Sequence, residues 1–336
     1  MSKLSSEIKP IYGLKREILG NVIPLSTPYS MFVFPTTFCN FKCQYCAHSL
    51  GLEKMREKYG LIPETMRMDV FKLVVNQIKQ FPGKLKLLSL TGQGEPLINK
   101  NIAEMVEYAK KADIAERIEI ITNGSLLNKK LSLKLIDAGL DTLKISIQGI
   151  QAEKYLNLCN YNLDFSVFLD EIAFFYSNRE KCSLFVKTMD IALEDGEEEE
   201  FYHMFSAISD RMFVEKCQPV YDGVEYTTKI KSNSDRFGYS SKKREVCPLP
   251  FYMLGVFPNG DVEPCDSIYK PIVLGNTQNI SLVEMWKSKK LREFQIMQLE
   301  KNRMKNPKCS VCCAPNDISH PEDDLDQIAN DLLLKL

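Results

Sequence analysis

From Ser30 to Cys217 the chain alternates short apolar runs with segments whose apolar residues recur every three to four positions. Ser30-Met31-Phe32-Val33-Phe34-Pro35 reads as a strand, and behind a cap at Asp69 the residues Phe71, Val74, Val75 and Ile78 share one helical face. The same alternation predicts strand 85–91 with helix 100–112, strand 117–122 with helix 128–138, and strand 142–148 with helix 165–177. Strand 184–190 with helix 197–207 follows, and a sixth strand, 212–217, ends the series. Near-continuous apolar strands such as Ile118-Glu119-Ile120-Ile121 belong to parallel sheets covered by helices. The expected fold is α/β, a partial (β/α)6 parallel barrel, since eight units do not fit before residue 220.

The texture changes after Cys217. Residues 221–246 are polar and without period, and read as a linker. A hairpin follows, Leu254-Gly255-Val256-Phe257 and Val262-Glu263-Pro264-Cys265 around Pro258-Asn259-Gly260-Asp261. One helix of about 20 residues, with Leu282, Met285, Trp286 and Phe294 on its apolar face, is expected to stop before Asn306-Pro307. Leu325, Ile328 and Leu332 mark a last short helix. The predicted organisation is an N-terminal extension over 1–27, a core over 28–220, the linker 221–246 and a small C-terminal domain over 247–336.

Composition narrows the function classes. With 43 Lys+Arg against 44 Asp+Glu among 336 residues, no charge excess points to a nucleic-acid partner. The 44% hydrophobic residues suffice for a packed core and exclude disorder as the main state. No apolar run reaches the roughly 18–20 residues that span a bilayer, and Met1-Ser2-Lys3-Leu4-Ser5-Ser6-Glu7 lacks a signal-peptide core. A cytoplasmic protein without a membrane partner is expected. Eleven cysteines are too few for a disulfide scaffold of this length, so their clustering carries the information.

Cys39, Cys43 and Cys46 stand in the loop after the first strand, separated by three and two residues. A structural zinc site wants four ligands, and His48 is the nearest candidate for the fourth. Three thiolates suit a [4Fe–4S] cluster that leaves one iron open. Cys-x3-Cys-x2-Cys resembles the signature of the radical S-adenosylmethionine (SAM) superfamily, whose open iron chelates the methionine end of SAM. Tyr45 matches the family's aromatic position near the adenine. The next strand ends Thr91-Gly92-Gln93-Gly94-Glu95-Pro96, which resembles the family's Gly-Gly-Glu segment with Gln93 interrupting the glycine pair. The resemblance implies that Gly92, Gly94 and Glu95 receive the SAM ammonium. It places Asn123, in Thr122-Asn123-Gly124, near SAM as well, with Ser146 at the ribose and Lys187 at the carboxylate. The resemblance covers residues 28–217.

Cys247, Cys265, Cys309, Cys312 and Cys313 form a second group. Tetrahedral thiolate sites suit zinc as well as iron–sulfur centres. The order of a cysteine, Gly260-x4-Cys265, a helix and a late Cys-x2-Cys resembles the auxiliary-cluster extension called SPASM, or its shorter Twitch form. Five cysteines favour one [4Fe–4S] cluster, with either Cys312 or Cys313 as its last ligand.

The resemblance implies SAM, two [4Fe–4S] clusters and a flavodoxin or ferredoxin-type electron donor. It implies an oxidoreductase that removes hydrogen from a small polar substrate such as a sugar or cyclitol, because the roughly 28 residues before the first strand are too few for a peptide-recognition domain. Two neighbouring outcomes are an epimerase with Cys217 as hydrogen donor and a peptide-modifying maturase. A zinc-bound interaction protein is the non-enzymatic alternative.

Overall fold

The computed structural model describes residues 5–10, 16–228, 230, 233–240, 243–317 and 320–336. Parts of the expected extension (1–4 and 11–15) and linker (229, 231, 232, 241 and 242) lie outside the described residues.

Ten strands make one sheet: β1 (Glu7–Ile8), β2 (Ser30–Val33), β3 (Leu87–Leu90), β4 (Ile118–Thr122), β5 (Thr142–Ile147), β6 (Ser183–Met189), β7 (Arg211–Glu215), β8 (Met253–Val256), β9 (Asp261–Glu263) and β10 (Gly275–Asn276). Their order is β1-β7-β6-β5-β4-β3-β2-β8-β9-β10. Every pairing from β1 to β8 is parallel, and β9 and β10 add antiparallel. β1 and β10 stand at opposite ends of that order, so among the described residues hydrogen bonding does not close the barrel. The fold is a partial parallel barrel with a C-terminal module continued from its β2 edge.

Alternation along the strands divides the two faces. Leu88, Leu90, Ile118, Ile120, Leu143, Ile145, Ile147, Leu184, Val186, Met212 and Val214 are buried in the main apolar core with helical residues such as Phe71, Val74, Met105, Leu135 and Phe175. The intervening residues Ser89, Glu119, Lys144, Lys187 and Glu215 take the concave face, where they too are buried. A buried charge must be paired to be tolerated, and these are: Lys144 Nζ lies 2.7 Å from Glu119 and Lys187 Nζ 2.9 Å from Glu215.

Several sequence expectations shift. Glu7–Ile8, within the expected extension, pairs with β7 as a parallel strand. Leu19 and Ile23 of the same extension pack with Leu325, Ala329 and Leu332 of the C-terminus. Asp69 is not the cap: Arg67 holds that position before the helix Met68–Ile78, and Asp69 sits in the first turn against the Arg67 guanidinium. The expected 20-residue helix is two, Leu282–Trp286 and Lys289–Leu299. Ser288 adopts extended backbone between them and its Oγ accepts from Leu291 N, so a new N-terminus wins over continuation. Helices Gly51–Tyr59 and Ala152–Cys159 form where no helix was expected.

Candidate active site

The loop after β2 carries Cys39, Cys43 and Cys46 to the carboxyl ends of the parallel strands, where ligands of such sheets bind. The three thiols feel one another: Cys43 and Cys46 charge both act on Cys39, and Cys43 acts on Cys46. Burial pushes the Cys39 thiol up and Cys46 up to about 12, so the chain alone holds them protonated. Cys43 Sγ also lies 3.4 Å from Cys159 Sγ, on the helix that packs beneath the loop. The loop is anchored by Lys42 N donating to Cys159 O and Gln44 N to Leu158 O. The Tyr221 hydroxyl hydrogen-bonds Cys46 and feels the Arg236 charge.

Around this loop stand the residues expected at SAM. Gly92 has φ +136°, and a Cβ there would fall 2.0 Å from Phe34. A Cβ on Gly94 would fall 2.5 Å from Phe38 O, so both glycines let β3's end lie against the cysteine loop. Gln93, between them, ties two other segments together. Its carbonyl meets His48 Nε2 at 2.8 Å, and its side-chain amide donates to Asp266 O at 2.8 Å. His48 is thereby held at β3's end.

Glu95 is 2% exposed and accepts from Leu97 N, Thr122 Oγ1 and Asn123 N at 2.9, 2.6 and 2.7 Å. Burial still raises its pKa to about 7. A carboxylate offers about four lone-pair sites, so one is left for a ligand donor. Asn123 Nδ2 donates to Asn40 Oδ1 and its Oδ1 accepts from Ser125, which ties the end of β4 to the cysteine loop. The Tyr45 hydroxyl donates to Gln148 Oε1. Ser146 is half-buried on the concave face of β5, and Lys187 beside it is paired with Glu215.

In the C-terminal module, Cys247, Cys265, Cys309 and Cys312 line one void together with Ser267, Tyr269, Gln298 and Arg303. Cys313 is not among its lining residues; its thiol feels Asp317, the neighbouring Cys312 and Arg236. Among the described residues no group of three or more His, Cys, Asp or Glu side chains converges tightly enough to hold a single metal ion. The four thiols surround a space, as a multi-atom cluster requires. Gln298 bridges two of them, accepting from Cys247 N at 3.3 Å and donating to Cys309 Sγ at 3.8 Å. Arg303 donates to the carbonyls of both Cys309 and Cys312 at 2.7 Å, fixing the Cys-x2-Cys turn. Burial raises Cys309 to about 11, so loading this site releases protons.

Beside that void, sharing Leu249 and Ala314 with it, lies a cavity of about 460 Å³. Arg16, Arg117, Arg236 and Asp317 line it, as does Asp266, one residue past Cys265. Among the described residues Asp266 has no cation at salt-bridge distance. Arg236 reaches Asp317 with two bonds, at 2.5 and 3.1 Å, and Glu215 at 3.7 Å. Cys217 is 4% exposed, its backbone N–H donates to Asp190, and it does not line the cavity. Asp266, Tyr221 and Arg236 are not among the site residues expected from the sequence: Tyr221 and Arg236 meet partners far along the chain, and Asp266 is marked only by its place on the cavity wall.

Comparison with known proteins agrees with this layout. Residues 33–202 match the family model of the Radical SAM superfamily, and residues 247–313 match SPASM, an iron–sulfur cluster-binding domain. GTP 3′,8-cyclase of Staphylococcus haemolyticus (strain JCSC1435) is 33% identical over 138 residues, covering 41% of this chain and 39% of that protein. The chain therefore spans well under half the length of the curated relatives it matches. The crystal structure of BtrN in complex with AdoMet and 2-DOIA is similar, with TM-score 0.57 and 20% identity over 88% of this chain and 97% of that one. So is Streptococcus suis SuiB bound to precursor peptide SuiA, with TM-score 0.60 and 17% identity over 82% and 69%. At these identities the two structures speak for the fold.

Proposed function

The chain belongs to the radical SAM superfamily, and from that premise we propose that it oxidises a small polar substrate held in the cavity beside the auxiliary cysteines. The radical SAM domain followed by the SPASM domain takes SAM and two [4Fe–4S] clusters. When bound, these groups supply reductive cleavage of SAM to a 5′-deoxyadenosyl radical and a sink for the electron left on the substrate.

The chain's own residues divide the remaining work. Cys39, Cys43 and Cys46 hold the SAM-binding cluster; Cys247, Cys265, Cys309 and Cys312 hold the auxiliary one. Gly92, Gly94, Asn123 and Ser146, with Tyr45, would hold SAM; the unused lone pair of Glu95 would receive its ammonium, and Lys187, with donors left beyond Glu215, its carboxylate. The observation that carries oxidation is Asp266: a carboxylate without an ion-pair partner among the described residues, on the cavity wall and adjacent in sequence to Cys265. It can take the hydroxyl proton that a substrate loses as its carbon is oxidised. The buried, packed position of Cys217 supports oxidation over return of a hydrogen atom. The reducing electron is taken from a flavodoxin or ferredoxin-type donor.

The test is anaerobic turnover with candidate polyols, following 5′-deoxyadenosine and product mass. Oxidation removes two hydrogens, and Asp266→Asn lowers product formation while SAM cleavage continues. A solvent deuteron retained at a substrate carbon, lost in Cys217→Ala, overturns oxidation in favour of epimerisation.

A further inference from the structure

The carbonyls in the last turn of a helix have no donor within that helix. In the helix Ala152–Cys159 the cysteine loop supplies two donors: Lys42 N reaches Cys159 O at 2.8 Å and Gln44 N reaches Leu158 O at 2.9 Å. Asn160, in the left-handed region at φ +51°, turns the chain away after the last helical residue. The two bonds fall on either side of Cys43 and pin its backbone against the helix end. Phe41 adds to the same seam, with ring centroids 6.1 Å from Tyr155 and 4.6 Å from Tyr161. Cys43 Sγ thereby comes to 3.4 Å from Cys159 Sγ. Cys159 is 0% exposed, whereas Cys43 is half-buried. A buried cysteine is ordinarily a small apolar filler, but this one faces the thiol of a cluster ligand along a chain path fixed on both flanks.

We infer that Cys159 is a resolving thiol for Cys43, which turns peroxide damage at the SAM-cluster loop into a reversible Cys43–Cys159 disulfide. The inference concerns the ligand set and holds whatever the substrate is. When oxidation strips the cluster, hydrogen peroxide oxidises the freed Cys43 thiol to a sulfenic acid and is itself reduced to water. The Cys159 sulfur then attacks the Cys43 sulfur: the S–S bond forms, the S–O bond breaks, and the oxygen leaves as a second water. A disulfide spans about 2.05 Å, so the two sulfurs close by roughly 1.4 Å, by side-chain rotation and with both backbone bonds in place. Burial keeps Cys159 from the oxidant, so it is still a thiol when Cys43 has been oxidised. Without it the sulfenic acid proceeds to the sulfinic acid, which thiols do not reduce. While the disulfide stands, Cys39 and Cys46 alone do not hold the cluster. A dithiol reductant returns both sulfurs to thiols and the ligand set to three.

The test starts from the full chain loaded anaerobically with both clusters. Hydrogen peroxide is added, remaining thiols are blocked with iodoacetamide, and unreduced peptides are mapped by mass spectrometry. The main oxidised form of Cys43 is expected to be its peptide joined to that of Cys159, two hydrogens lighter than the separate pair. Cys159→Ala is expected to give about tenfold more Cys43 sulfinic acid under the same treatment. Cys159→Ser, which fills the space without a sulfur, should match Cys159→Ala and so separates resolution from packing. Dithiothreitol followed by reconstitution should restore 5′-deoxyadenosine formation in the wild type and little of it in either variant. The absence of the linked peptide in wild type, a disulfide within the loop such as Cys39–Cys46, or equal sulfinic acid in wild type and variants overturns the inference. The wild-type map decides even if neither variant folds.

Discussion

The side-chain amide of Gln93 donates to the backbone carbonyl of Asp266 at 2.8 Å, joining the end of β3 to the loop that follows Cys265. Through the Gln93 carbonyl the same residue holds His48, two positions past Cys46. The residue that interrupts the family's glycine pair is therefore a strut between the two cysteine sites. Gln93→Gly restores the glycine pair and removes the strut. It is expected to lower the melting temperature by a few degrees, the loss of about one hydrogen bond near 1 kcal/mol, and to speed proteolysis within 247–313. An unchanged digestion pattern would show that the strut does not brace the module.

Iron content tests the two ligand sets. Wild-type protein reconstituted anaerobically should bind about eight irons, four per cluster. Cys43→Ala should bind about half and form no 5′-deoxyadenosine. Cys312→Ala should also bind about half, whereas Cys313→Ala, whose thiol lies outside the void, should bind as wild type. A full complement in Cys312→Ala would reassign the last ligand.

The buried pair Glu119–Lys144 gives a stability prediction. With side chains 2% and 7% exposed, removing one partner strands the other charge in the barrel. Glu119→Ala is expected to cost about 3–5 kcal/mol in denaturant unfolding. The double variant Glu119→Leu with Lys144→Met should recover most of that, since it removes both charges. If the double variant is as unstable as the single, the loss comes from packing.

His320 sets an acid limit. Burial, with Arg16 and Arg244 nearby, lowers its pKa to about 3. The folded chain keeps the ring neutral while the unfolded chain protonates it near 6.5, so stability is full above about 6.5 and falls as pH drops toward 3. His320→Gln removes that contribution. The difference in melting temperature between wild type and variant should therefore move in the variant's favour between pH 6.5 and 4. A difference that is flat with pH would mean that the ring is protonated in the fold.

What could be read in advance follows from how local its cause is. β2 to β7 were legible because each carries its own apolar run, and the cysteine loop because three ligands fall within eight residues. The helix Gly51–Tyr59 carries only a short signal of its own, Met55 and Tyr59 one turn apart and both buried. Two-residue β1 has no periodicity of its own and exists only because β7 offers an edge. The break at Lys287-Ser288 comes from the Ser288 side chain as a cap, a local signal that apolar positions on both sides mask. Asp266 could not be singled out, because what distinguishes it is the ion-pair partner it lacks among the described residues.

SAM affinity checks the strand-end residues. Glu95→Ala should weaken SAM binding in equilibrium dialysis far more than Glu104→Ala, since Glu104 sits on the helix after β3, paired with Lys72. Equal losses would leave Glu95 as a support of the Thr122-Asn123 turn alone.

The parallel pairing of β2 with β8 joins residues more than two hundred positions apart. During synthesis at roughly 5–20 residues per second, the β2 edge waits on the order of ten seconds or more for its partner to leave the ribosome. An unpaired strand edge invites association with other chains. A chain stopped short of Val256 should therefore accumulate in the insoluble fraction even though it contains every strand from β1 to β7, and the yield of native full-length protein should rise when a chaperone is present to cover that edge during the wait.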